Sequence, residues 1–274
     1  MPKEPQLRIC ALYPDLMNIY ADRGNLLLLE RRCRWRGLDF SLRSVSLGDP
    51  LDPDGADLYY IGGGQDRDQR LCAYDLADHK RDALHQAADR GAVVLAVCGG
   101  YQLLGTSYQL GEEALPGVGL VDLSTVRAEP DDSGAPRLSE AGGRAGRKRE
   151  GGGQTPARLI GNVAIEVALD PGGAPRVLAG FENHGGRTHI GPSATPLGRV
   201  LKGYGNNGRD GYEGVRRRNV IGTYLHGPLL PKNAWFADWL IQTALELDEP
   251  LSPLDDELER QAHADALRAA GVQR

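Results

Sequence analysis

Apolar and polar positions along this 274-residue chain switch repeatedly between a strand-like period of two and a helical period near 3.6. Leu7-Arg8-Ile9-Cys10-Ala11-Leu12 reads as a first strand. Asn25 is placed to cap a helix running through Leu26-Leu27-Leu28-Leu29-Glu30 to Trp35, with Gly37 as its stop. Phe40 to Val45 alternates as a second strand, and Asp57-Leu58-Tyr59-Tyr60-Ile61 is a third that runs into Gly62-Gly63-Gly64. A helix from Lys80 to Asp89, stopped by Gly91, leads to the wholly apolar run Val93-Val94-Leu95-Ala96-Val97. Further strands follow at Arg158 to Glu166 and at Asn219 to Leu225. This order predicts an α/β domain over residues 1–250, built on a mostly parallel sheet flanked by helices on both faces.

Two regions break the rhythm. Residues 128–156 are rich in Gly, Arg, Glu, Asp, Ser and Pro and almost empty of large apolar side chains, so a flexible insertion is expected there. Residues 251–274 read as a C-terminal helical extension. Its stretch Leu254 to Ala270 is only partly amphipathic, which leaves open a surface helix or a docking element.

In sheets of this kind active sites gather at the carboxyl ends of strands. The valine-rich run ends there in Cys98-Gly99-Gly100-Tyr101-Gln102, a strand that stops at a cysteine, turns on two glycines and enters a helix. That is the plan of a nucleophile elbow, and a thiol at a helix N-terminus sits where positive partial charge favours the thiolate. Taken alone, the pattern fits a small buried core cysteine equally well. Cysteine chemistry also needs a base. Asn219 to Leu225 delivers His226 into a Gly227-Pro228 turn, whereas His79, His85, His189 and His263 sit in polar or helical surroundings; His184 shares a Gly-rich turn context. The glycines after the third strand have an ordinary reading as a loop. Acyl transfer offers them another: backbone N–H groups from Gly63-Gly64 and from Gly99 could face a developing oxyanion. No complete phosphate-binding glycine motif is present.

Several segments together carry a resemblance. They are Tyr13 to Asn25 (YPDLMNIYADRGN), Gly62 to Asp66 (GGGQD), Cys98 to Gln102 (CGGYQ), Phe181 to Thr188 (FENHGGRT), Tyr204 to Asn207 (YGNN) and Tyr224 to Asn233 (YLHGPLLPKN). In this order the chain resembles the class I, triad-type glutamine amidotransferases of the cobyric acid synthase branch, and among them the glutaminase subunits of lipid II isoglutaminyl synthases. The resemblance implies a flavodoxin-like amidotransferase fold with Cys98 as nucleophile and His226 as base. It also implies a substrate site including Gly63, Gly64, Gly99, Gln102 and Arg158, the arginine clamping the α-carboxylate of L-glutamine. Arg187 is next in line for that clamp.

One departure stands out. Many class I amidotransferases have an acidic residue two positions after the histidine, and here that position is Pro228. The chain itself thus offers a Cys98–His226 dyad, and the resemblance implies that an aspartate of a partner subunit completes the triad. It also implies no cofactor in this chain. ATP and Mg²⁺ belong on a Mur-ligase-like synthetase subunit, MurT, which forms a heterodimer with it and acts on lipid II. The rival readings are a glutaminase subunit for another amidation such as a cobyric acid-type synthase, a DJ-1-like cysteine hydrolase sharing the elbow, and a binding module with a vestigial site.

Composition narrows the classes further. A formal charge of −5 provides no basic field for nucleic acid. Cys10, Cys33, Cys72 and Cys98 are too scattered for a zinc knuckle or a disulfide framework, so no metal site is expected and reducing cytoplasm fits. The lipid-linked substrate would place the protein at the inner face of the membrane.

Overall fold

The computed structural model describes residues 5–18, 22–110, 112–127, 158–170 and 172–273. The insertion expected at 128–156 lies outside the described residues. Along the chain, β1 (Gln6–Leu12), α1 (Arg23–Arg34), β2 (Asp39–Val45) and β3 (Leu58–Ile61) are followed by α2 (Asp66–Asp75), a π-helical turn (Leu76–Lys80) and α3 (Arg81–Asp89). Next come β4 (Val93–Val97), α4 (Gly99–Leu103), β5 (Ser107–Leu110), β6 (Glu113–Pro116) and β7 (Leu123–Arg127). The second half holds β8 (Leu159–Val167), β9 (Arg176–His184), β10 (Gly186–Ile190), β11 (Gly198–Lys202), β12 (Tyr212–Glu213), β13 (Val215–Arg217) and β14 (Val220–Thr223). It closes with a 3₁₀ turn (Leu230–Lys232), α5 (Ala234–Ala244) and α6 (Glu257–Ala270).

The central six-stranded sheet has the order β13-β14-β4-β3-β1-β2 and is parallel apart from β13. Alternation along each strand divides the core in two. Leu7, Ile9 and Ala11 of β1, with Leu58, Tyr60, Val93, Leu95 and Val97, face Leu26 and Leu29 of α1 and Phe236, Leu240 and Ile241 of α5. Cys10, Leu12, Tyr59, Ile61, Val94 and Ala96 face Cys72, Leu84 and Tyr101 on the α2, α3 and α4 side. The expected α/β architecture with helices on both faces is therefore present.

Three features differ from the sequence expectation. Helix α1 begins at Arg23 with Asp22 at its N-cap, not at Asn25. Asn25 is buried inside the helix, its amide donating to the Tyr60 hydroxyl and its carbonyl oxygen accepting from the Leu230 N–H. Helix α2 is not legible because half of its ten residues are charged and it buries only Gln69, Cys72 and Ala73. Two four-stranded sheets are added beside the parallel one, β10-β7-β5-β6 and the antiparallel β12-β11-β8-β9.

The C-terminal helix α6 lies on this molecule. The Asn162 amide donates to the Ala269 carbonyl, and the His263 ring bonds the Lys232 carbonyl. At the start of α6, Asp256 joins Asp238 of α5 around the fully buried Arg32 of α1, with contacts of 2.5–2.9 Å.

Candidate active site

Strand β4 ends in strained backbone. Cys98 has φ 52° and ψ −108°, a conformation that costs a side-chain-bearing residue energy and that the surroundings must impose. They do so from both sides. The Cys98 N–H is held by the Thr223 carbonyl at 2.8 Å, and the Gly100 N–H by the Gly62 carbonyl at 3.1 Å. Helix and glycine loop are so close here that a β-carbon on Gly100 would lie 2.7 Å from the Ile61 carbonyl oxygen and 2.8 Å from that of Gly62. Only glycine fits, and the turn lifts the thiol above the sheet as an elbow should.

The glycine loop after β3 meets this elbow directly. A β-carbon on Gly63 would sit 3.2 Å from the Cys98 Cβ and 3.7 Å from its Sγ. The Gly64 nitrogen lies 3.0 Å from where a Gly99 β-carbon would be. The Gly99 N–H pulls the Cys98 thiol toward its charged form. The Gly63 N–H is taken by the Asp22 carboxylate at 2.9 Å, which leaves Gly64 and Gly99 as the candidate donors among the glycines expected from the sequence.

The candidate base follows the neighbouring strand. β14 runs parallel to β4 with Thr223 opposite Val97, and the chain continues through Tyr224 and Leu225 to His226. Buried polar side chains hold this arm. Glu213 accepts from the Thr223 hydroxyl at 2.9 Å and from the Tyr224 N–H at 2.6 Å, and the Thr223 hydroxyl oxygen accepts the Leu225 N–H. His226 exchanges two backbone hydrogen bonds with Phe181, and its ring stands edge-on to the Phe181 ring at 5.9 Å. The His184 ring stacks on Tyr224 with centroids 3.5 Å apart.

Arg158 immediately precedes β8. Its guanidinium donates to the Asn183 side-chain oxygen at 2.9 Å and to the Asn183 carbonyl at 3.0 Å, and its charge is felt at both Cys98 and His226. Cys98, His226, Arg158, Gly64 and Gly99 thus share one end of the molecule. Gln102 lies behind the elbow, buried. Its side-chain oxygen accepts from Gln69 at 2.8 Å and its amide donates to the Tyr224 hydroxyl at 3.1 Å. Arg187 is buried beside its own strand, donating to the Gly185 and Gly186 carbonyls.

The electrostatics qualify one sequence expectation. Burial, then the nearby Asp22 carboxylate, push the Cys98 thiol up to about 12, outweighing the Gly99 N–H and the Arg158 charge that pull it down. Helix α4 spans only Gly99–Leu103, too short to reverse that balance. Burial, together with His184, Lys232 and Arg158, lowers His226 to about 4. The pair therefore rests as neutral thiol and neutral imidazole, a state in which the ring can accept the proton of an attacking thiol.

A family model for the CobB/CobQ-like glutamine amidotransferase domain matches residues 8–131 and 153–234. The chain belongs to this family. This amidotransferase is 34% identical to the GatD subunit of the glutamine-hydrolysing lipid II isoglutaminyl synthase of Staphylococcus aureus, over 94% of its own length and 93% of that protein. With the GatD subunit of Streptococcus pneumoniae the identity is 36%, over 88% and 81% of the two chains. A probable cobyric acid synthase of Methanopyrus kandleri is 34% identical, but the match spans only 33% of that protein. In three dimensions it shares its fold with a chain of PurLQS from Thermotoga maritima, at a TM-score of 0.52 and 19% identity, covering 95% of this chain and 99% of that one.

Sequence reasoning missed Asp22, Glu213 and His184 as neighbours of the dyad. Asp22 lay inside a segment carrying the resemblance, yet only the fold brings it to Gly63. Glu213 sits on a two-residue strand among glycines, where no periodicity marks it.

Proposed function

We propose that this chain is a glutaminase subunit that hydrolyses L-glutamine through a γ-glutamyl thioester on Cys98. The observation that carries the reading is the strained elbow, with Cys98 at φ 52°, the Gly64 nitrogen 3.0 Å from where a Gly99 β-carbon would lie, and His226 three residues beyond the adjoining strand. His226 takes the thiol proton as Sγ attacks the γ-carbonyl carbon, and the carbonyl oxygen becomes an oxyanion facing the N–H groups of Gly64 and Gly99. The imidazolium returns the proton to the leaving nitrogen, which departs as ammonia. Water, deprotonated by the same ring, then attacks the thioester carbonyl carbon; the C–S bond breaks, glutamate is released, and the imidazolium returns its proton to Sγ. Arg158 pairs with the α-carboxylate of the substrate. Gln102, linked to Gln69 and Tyr224, supports the wall behind the nucleophile.

The ammonia is delivered to a Mur-ligase-like partner, MurT, in a heterodimer. With ATP and Mg²⁺ on its own chain, that partner amidates the α-carboxyl of D-glutamate in the lipid II stem peptide to D-isoglutamine. Similarity along 94% of the chain to a subunit named for lipid II isoglutaminyl synthesis supports this substrate over a cobyric acid-type one. Pro228, where a related enzyme would carry an acid, fits a triad completed by a carboxylate of the partner. Among the described residues no helix is long and apolar enough to cross a membrane, and no cluster of His, Cys, Asp or Glu is arranged to hold a metal ion. A cytoplasmic heterodimer working at the inner membrane face follows from this reading. The test is co-expression with the Mur-ligase-like protein of the same organism. Glutamine-dependent amidation of lipid II by the copurified pair is expected, and a pair that amidates only with added ammonium would overturn the glutaminase role.

A further inference from the structure

The buried carboxylate behind the glycine loop is used by none of these steps. Asp22 stands at the N-cap of α1, yet its side chain makes no capping hydrogen bond. It is fully buried and turned instead into the end of the sheet. One carboxylate oxygen accepts the Gly63 N–H at 2.9 Å, and the other is buried with no hydrogen-bond partner among the described residues. Leaving a carboxylate oxygen unpaired in the interior is costly, so the one bond it makes must matter to the fold or to the site.

Its position says which. A β-carbon built on Gly63 would lie 3.3 Å from the Asp22 oxygen, 3.2 Å from the Cys98 Cβ and 3.7 Å from the Cys98 Sγ. Asp22 and Cys98 thus both pack against the same glycine. The remainder of the Asp22 backbone is fixed as well. Its carbonyl accepts the Tyr60 hydroxyl at 3.2 Å, and that hydroxyl accepts the Asn25 amide, whose own oxygen holds the Leu230 N–H beyond the histidine turn. A β-carbon on the next residue but one, Gly24, would be 2.8 Å from the Pro228 ring. The start of α1 is therefore wedged between the histidine turn and the glycine loop. Each peptide unit is planar, and turning one N–H toward a fixed acceptor restricts where the following N–H can point. With the Gly63 N–H on Asp22, the Gly64 nitrogen comes to lie over the Cys98-Gly99 turn.

We propose that Asp22 is a positioning residue for amide cleavage. By holding the Gly63 N–H, its carboxylate sets the glycine loop so that the Gly64 N–H, with that of Gly99, meets the oxyanion formed at the γ-carbonyl. The inference rests on Cys98 being the glutaminase nucleophile. A second consequence is electrostatic: the carboxylate disfavours a thiolate next to it, so the thiol is held unreactive until substrate brings its own groups into the site.

The test uses the full chain with its synthetase subunit and three readouts. These are kcat and KM for glutamine, inhibition by the γ-aldehyde analogue of glutamine (glutamate γ-semialdehyde), and the rate of Cys98 alkylation by iodoacetamide. The aldehyde adds to the thiol as a tetrahedral hemithioacetal that needs the oxyanion donors, whereas alkylation does not. In Asp22→Ala, kcat should fall about tenfold to hundredfold with KM little changed, and the aldehyde should bind weaker by a similar factor. Alkylation should be as fast as in the wild type or faster. Asp22→Asn, which keeps an acceptor for Gly63 but no charge, should restore the greater part of the lost kcat and of the aldehyde affinity while alkylating faster than wild type. Wild-type kcat and aldehyde affinity in a folded Asp22→Ala chain would overturn the inference. If that variant does not fold, loss of aldehyde affinity in Asp22→Asn would do so. A wild-type complex without glutaminase activity would instead sink the reading on which the inference rests.

Discussion

The two halves of the dyad are held by opposite means. On the nucleophile side the chain relies on its own backbone: a strained φ at Cys98, a glycine that no other residue can replace at position 100, and N–H groups supplied by Gly64 and Gly99. On the base side distant elements hold the chain, the Glu213 side chain gripping Thr223 and Tyr224 while the Phe181 backbone exchanges two hydrogen bonds with that of His226. One half centres on a local motif, Cys98-Gly99-Gly100, met by the glycine loop after β3. The other is a product of the tertiary fold, which gathers β9, β12 and β14 around one histidine.

Substitutions can break the two halves separately. The largest effect is expected from Cys98→Ala, which should reduce glutamine hydrolysis by more than about a thousandfold. Ammonia-dependent synthesis by the complex should be untouched, since only a small side chain is lost. Arg158→Ala should lower glutamine-dependent kcat/KM by roughly 2–4 kcal/mol, the scale of a lost bidentate charged contact, chiefly through KM. Steady-state kinetics with glutamine, against ammonium as the alternative nitrogen source, separate these two.

Smaller effects distinguish backbone from side-chain support. Gly100→Ala drives a β-carbon into two backbone carbonyls that cannot move aside, and should cost about 2–3 kcal/mol in a denaturant melt. Glu213→Gln keeps the shape but replaces one acceptor by a donor facing the Tyr224 N–H or the Thr223 hydroxyl. A cost of about 1–2 kcal/mol is expected, with a loss of kcat that follows the loosened histidine. Should Glu213→Gln prove more damaging than Gly100→Ala, the division between the two halves would be drawn in the wrong place.

The smallest signal is in the pH dependence of the resting thiol. With Cys98 raised to about 12, its thiolate fraction should climb about tenfold per pH unit from pH 6 to 9 without levelling off. Iodoacetamide alkylation of the isolated chain should follow that slope. A plateau near neutral pH would mean a thiolate already formed, and hence that burial and Asp22 do not dominate.

The same contrast explains what the sequence alone revealed. The strands β1, β3 and β4 and the elbow are legible because each is written in consecutive residues: an apolar run, then glycines. The start of α1 was misplaced because Asn25, a good capping residue, is used instead as a buried link from Tyr60 to Leu230. Helix α2 was missed because only a narrow stripe of its surface is buried. The two added sheets escaped notice because their strands are short or interrupted, and their pairings join residues far apart, as Gly186 with Arg127 or Arg199 with Glu166. Asp22 and Glu213 belong to this second kind: each acquires its role only when the chain is folded.

The most direct measurement is to mix the chain and its synthetase with glutamine, quench in acid within milliseconds, and weigh the peptide containing Cys98 by mass spectrometry. The account predicts a glutamyl group on that peptide, removed by hydroxylamine and absent in Cys98→Ala. Rapid ammonia release in the wild type with Cys98 unmodified at every time point would contradict it.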